Sequence, residues 1–167
     1  MIIDDLSQKF PIAKCGASWQ LVTDTVMGGV SQGTLKPEIV AGGTALRLQG
    51  GVSLENNGGF VQMALDLRPD AGAMDVSGFS GIEFEIYGND EEYDLRLRTA
   101  ELVKSWQSYR QPFHALPSWQ TVRLALAQLE KHRTEIPLDV AQAKRIGLLG
   151  IGREFYADLA VASVKFY

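Results

Sequence analysis

Residues 81–99 read GIEFEIYGNDEEYDLRLRT. In its first half Ile82, Phe84 and Ile86 alternate with Glu83, Glu85 and Tyr87; in its second, Tyr93, Leu95 and Leu97 alternate with Asp94, Arg96 and Arg98. A period of two marks half-buried strands, because successive side chains point to opposite faces. The polar run Gly88-Asn-Asp-Glu-Glu92 between them has turn composition. The pair reads as a hairpin that sets Glu83 and Glu85 against Arg96 and Arg98 on one surface. Cross-strand pairs of that kind contribute roughly 0.2–1 kcal/mol each.

The same pattern extends in both directions. Short strands are expected over 45–49 and 52–55, separated by Gly50-Gly51. A longer strand over 60–67 turns Val61, Met63, Leu65 and Leu67 to one face. Further strands follow at 121–126, 146–152 and 159–166, with an edge strand at 1–6. Helical signals are confined to 125–132 and 138–144. Many short strands punctuated by Gly, Pro, Asn and Asp imply an all-β sandwich or barrel. The 167 residues suit one domain, read as spanning 1–167.

Composition narrows the function classes. A net charge of −4 argues against a general nucleic-acid surface, which needs clustered excess Lys and Arg. No run approaches the roughly 18 apolar residues of a membrane span. Residues 1–10 lack a basic start followed by an apolar stretch, so a cytoplasmic location is expected. Cys15 is the only cysteine and has neither histidine near it in sequence, so it reads as a small packed residue rather than a nucleophile.

The most unusual stretch is Asp24-Thr-Val-Met-Gly-Gly-Val-Ser-Gln-Gly33. Gly29 to Gly33 is a literal G-x-S-x-G, but a nucleophile elbow needs a helix directly after the serine. Pro37 and Gly42-Gly43 oppose a long helix there. A phosphate loop fails as well, since Thr34 follows Gly33 with no lysine between. No catalytic residues are expected. A loop with special backbone geometry remains, matched by a second glycine-rich loop, Glu55-Asn-Asn-Gly-Gly-Phe60.

Together the two loops resemble the NADH:ubiquinone oxidoreductase complex I intermediate-associated protein 30 family. The likeness rests on Trp19, Asp24-x-Val-Met-Gly-Gly-Val-Ser31 and Gly50-Gly-Val-Ser-Leu-Glu-Asn-Asn-Gly-Gly-Phe60. It continues through Phe79-Ser-Gly-Ile82, Tyr93-x-Leu-x-Leu-Arg-Thr99, Ser108-Tyr-Arg-x-x-Phe113, Trp119-x-x-Val122, Ile146-Gly-Leu-Leu-Gly-Ile151 and a last strand ending at Phe166. The resemblance implies a galactose-binding-domain-like jelly-roll β-sandwich of two antiparallel sheets. It also implies a non-enzymatic role, as an assembly or chaperone-like factor with protein partners such as subunits of a respiratory membrane complex. This chain is acidic at 88–92 where the family has a Gly-Asp-Gly-Arg turn, and its 125–137 loop departs too. Both would lie at the ends of the sandwich, where partners are chosen. A carbohydrate-binding module and an RNA-associated factor stand as alternatives.

Seven residues are candidates for the binding surface. Asp24, Ser31 and Asn57 lie in the signature loops, where they could equally satisfy loop backbone groups. Arg98, Tyr109 and Arg110 could line one sheet face and read a carboxylate, a sugar or a peptide. Trp106 sits in a polar stretch and could offer a stacking platform, whereas Trp19 and Trp119 read as plugs of the core or its ends. No cofactor or metal is expected: Asn89, Asp90, Glu91, Glu92 and Asp94 offer oxygens, but without calcium-loop spacing.

Overall fold

The computed structural model describes residues 1–167. In chain order its strands are β1 (Ile2–Asp4), β2 (Gln20–Thr23), β3 (Gln32–Val40), β4 (Gly43–Val52), β5 (Phe60–Asp66) and β6 (Gly81–Tyr87). They continue as β7 (Glu91–Thr99), β8 (Ser108–Ala115), β9 (Gln120–Ala125), β10 (Glu130–His132), β11 (Ala143–Ile151) and β12 (Phe155–Phe166). Two antiparallel six-stranded sheets result. The first runs β3-β4-β12-β6-β9, with β1 also on β12; the second runs β10-β8-β7-β11-β5-β2.

The inner faces are those the alternation marks. Ile82, Phe84 and Ile86 of the first sheet and Val61, Met63, Leu65, Leu95 and Leu97 of the second have no exposed surface. Burying a side chain of this size contributes about 1.5–3 kcal/mol. Tyr93 joins them at 1% exposure, its hydroxyl donating to Asn89 Oδ1 (2.6 Å) and accepting from the Asp158 amide (2.8 Å). Trp19 is buried with its indole N–H on Asp4 Oδ2 at 2.7 Å, and Trp119 lies edge-on to Tyr87 and donates to the Val40 carbonyl. Trp19 closes the core, as expected, whereas Trp119 is only half-buried and packs with Tyr87 on a small cluster of Val40, Ala45 and Ala160 apart from the main core.

The expected 81–99 hairpin does not form. β6 pairs with β12 and β9, while β7 pairs with β8 and β11 in the other sheet. Residues 88–90 cross between the sheets, held by hydrogen bonds donated by the Gly88 amide to the Leu116 carbonyl and by the Asp90 amide to that of Ala115, both 2.8 Å. Glu83 consequently meets Arg123 and Lys165, and Glu85 meets Thr121, rather than Arg96 and Arg98. Alternation states which side chains face inward; two strands facing each other across a core satisfy it as well as two neighbours in one sheet.

The glycine pair does not divide 45–55, because Gly50 and Gly51 continue β4 and pair with Gly33 and Gln32 of β3. The helical signals yield only single 3-10 turns at Leu126–Gln128 and Val140–Gln142. Residues 130–132 instead add β10 to the edge of β8. The strand at 1–6 is present as β1, paired with β12.

A candidate binding groove on the outer face of the second sheet

The two signature loops meet around one carboxylate. Asp24 opens a 3-10 turn, Asp24–Met27, and has no exposed surface. Its Oδ1 accepts from the Ser31 amide (2.9 Å), and its Oδ2 accepts from the Ser31 hydroxyl and from the amides of Gly59 (2.5 Å) and Phe60 (3.2 Å). Ser31 Oγ in turn accepts from the Ser53 amide at 2.8 Å. Two glycines are needed because this carboxylate fills their side-chain space. A Cβ at Gly29 would lie 2.5 Å from Asp24 Cγ, and one at Gly58 2.5 Å from Oδ2. Burial alone would push the Asp24 carboxyl up, but the Ser31 hydroxyl and the three amides outweigh it and hold it below the usual carboxylate range. Ser31 is 1% exposed and bonded to no histidine, so it is a tie between loops rather than an exposed nucleophile.

The tie has an outward consequence. With Asp24 anchored, the same turn projects Val26 and Met27 into solvent, 73% and 59% exposed. They form one wall of a groove of about 800 Å³ across the outer face of the second sheet. Strand alternation supplies the floor: Gln62 and Asp66 of β5, Arg96 and Arg98 of β7, and Arg145, Gly147, Leu149 and Ile151 of β11. Gly147 has no side chain, and the Gln62 amide of β5 lies over that position, 3.0 Å from where a Cβ would stand. Trp106, 56% exposed, closes the far end, with His132 at the end of β10 and Arg133 just after it along one side.

The groove is chemically divided along the strands. At the signature-loop end lie Val22, Val26, Met27, Phe60, Leu149 and Ile151. At the Trp106 end lie Arg96, Arg98, Arg133, Lys144 and Arg145, against one lining carboxylate, Asp66. Asp94, beside the floor, is shared by Arg96 (2.9 Å) and Arg110 (2.8 Å). Burial would push the Asp94 carboxyl up, but Arg110 and Arg96 hold it low. Burial lowers His132, and the positive charges of Arg96, Arg133 and Arg110 lower it further. Burial is the larger cause; the part due to the three arginines reflects a positive local charge.

Among the sequence candidates, Arg98 and Trp106 line this groove, and Arg110 supports it through Asp94. Asp24 and Ser31 lie beneath its wall. Asn57 is exposed in the neighbouring loop with φ 59° and makes no side-chain hydrogen bond. Tyr109 does not reach the sheet surface. It is fully buried, because alternation along β8 turns Ser108 and Arg110 outward and Tyr109 inward, with its hydroxyl donating to the Ile136 carbonyl at 2.8 Å. Val26, Met27, Lys144 and Arg145 were missed. The alternation of β11, read beyond its core residues, marks Arg145, Leu149 and Ile151 as an outer row. The acidic crossover residues are dispersed: Asn89 donates to the Tyr156 carbonyl, Asp90 pairs with His114 and Glu91 with Arg153. No three His, Cys, Asp or Glu converge as metal ligands.

Residues 9–159 match the family described as Complex I intermediate-associated protein 30 (CIA30). The chain belongs to that family. This member has no similar counterpart among curated proteins. Its fold is shared with carbohydrate-binding modules. The family 11 module of the cellulosomal cellulase Lic26A-Cel5E of Clostridium thermocellum superposes with a TM-score of 0.76 at 14% identity, over 99% of this chain and 92% of that one. A family 11 module from the same organism, in complex with a β-1,3-1,4-mixed-linked tetrasaccharide, gives 0.75 at 13% identity, over 99% and 93%. A family 30 module gives 0.69 at 14% identity, over 99% and 87%. At these identities the likeness establishes the jelly-roll β-sandwich alone. No helix of this CIA30-family domain is long and apolar enough to cross a membrane.

Proposed function

We propose that this chain is a non-catalytic binding module, located in the cytoplasm, that holds a segment of a partner protein in the groove of its second sheet. Family membership supports a role in assembling a respiratory, complex I type membrane complex. One observation carries the reading: the family's own signature loop builds the groove wall, with Asp24 buried as its anchor and Val26 and Met27 presented to a ligand. Exposed aliphatic side chains beside a well-formed cleft are what a protein partner covers. A photo-crosslinking residue at position 27, used in the native host, is expected to capture subunits of a membrane complex. Capture of none, with the protein present at normal level, counts against the reading.

The carbohydrate reading has a specific observation in its favour. Trp106 is half exposed at the groove end, with the Lys104 ammonium 5.7 Å over its ring, and an exposed indole suits a sugar ring. Retardation in gels containing mixed-linkage β-glucan, lost in Trp106→Ala, would favour it over the protein reading.

A further inference from the structure

The two outer sheet faces treat their cations differently. On the first sheet Arg47 lies between Glu38 and Asp158, at 2.7 Å from each, and Arg123 and Lys165 both reach Glu83. On the second sheet Asp94 serves both Arg96 and Arg110, and Asp66 is taken by Arg145 at 3.0 Å. Arg98 reaches no carboxylate. Its Nε and Nη2 donate to the carbonyls of Gln107, Leu102 and Lys104, at 3.1–3.2 Å, and its Nη1 donates to no group of the chain. Arg98 also stands directly opposite Arg145 in the register of β7 and β11. Like charges in that position repel. Lys144 and Arg133, at the same end, form no ion pair. An acidic protein of net charge −4 thus gathers unpaired cations at one end of its groove.

We propose that the Trp106 end is an anion site and that the bound segment is polypeptide with acidic residues at this end and apolar residues at the other. The inference rests on the groove being the ligand surface. A carboxylate between Arg98, Arg145 and Lys144 supplies the missing counter-ion and relieves the Arg98–Arg145 repulsion, and the backbone carbonyls already fix the Arg98 fork. From Arg145 to Ile151 the floor runs about 20 Å, the reach of six extended residues. A neutral polysaccharide carries no charge to answer Arg98, Lys144 and Arg133. A polypeptide can place carboxylates at one end and aliphatic side chains at the other.

The test uses fluorescently labelled octapeptides of four leucines and four glutamates, in both orders, with glutamine-for-glutamate controls, read by anisotropy. One acidic peptide is expected to bind about tenfold more tightly than its glutamine control. That advantage is expected to shrink with salt and to be largely lost in Arg98→Gln and Lys144→Gln. Arg98 also holds the 100–107 loop, so Lys144→Gln, whose side chain bonds to nothing, keeps the test clean. Acidic peptides that fail to bind, or bind no better than the glutamine controls, overturn the anion site. If the controls still bind and Met27→Asp abolishes that binding, the groove reading survives this failure; if Met27→Asp changes nothing, it falls too. Preferential binding of polygalacturonate that depends on Arg98 overturns the polypeptide assignment.

Discussion

At the scale of single residues, the buried Asp24 carboxylate matters most. Asp24→Ala would strand three amides and the Ser31 hydroxyl, each costing on the order of 1 kcal/mol or more. We expect a loss of about 3 kcal/mol, measurable by urea unfolding. Ionised Asp24 is the form the native loop holds, because its carboxyl sits below the ordinary value. Asp94 is lowered too, against its burial, by Arg110 and Arg96. Both contributions are complete above about pH 4, the range of a free Asp, and are lost as pH falls through the lower native values. Acid unfolding followed by tryptophan fluorescence should move to higher pH in Asp24→Asn. Ser31→Ala should cost about 1–2 kcal/mol while leaving groove binding unchanged, since the hydroxyl faces Asp24 and the Ser53 amide.

At the scale of elements, the Asp24–Met27 turn separates anchoring from presentation. Val26→Asp and Met27→Asp change exposed tips, so the melting temperature should stay nearly constant while partner capture is lost. A large fall in melting temperature would mean that these side chains support the fold instead. This division was only partly legible in the sequence. The two loops identify the family and Asp24 stands out, but nothing local tells that Gly59 and Phe60 donate to it across 35 and 36 residues. Alternation marks the buried rows of β5, β6 and β7 correctly. It is silent on sheet membership, which is why residues 81–99 suggest a hairpin while β6 and β7 lie in opposite sheets. Arg98 and Trp106 were recognisable as exposed groups. The groove they share was not, because it also needs β11, β5 and the signature turn brought together.

At the scale of the whole molecule, one sandwich carries a charge-paired face and a face with cations to spare. Arg47→Ala, on the paired face, should leave ligand affinity unchanged, whereas Arg98→Gln lowers it; equal losses from both would mean a field of the whole protein rather than a site. The strand order carries a further consequence. β12 is flanked on one side by β6 and on the other by β4 and β1, so Ile2 finds its partner at Lys165. Contacts so distant along the chain make for slow folding, on the order of milliseconds to seconds. A chain ended at residue 154 is expected to lack native β-sheet by circular dichroism. During synthesis the ribosome delivers β4 and β6 long before the strand that joins them. Until residue 166 emerges, a nascent chain carries two open strand edges, each a template on which another chain could pair.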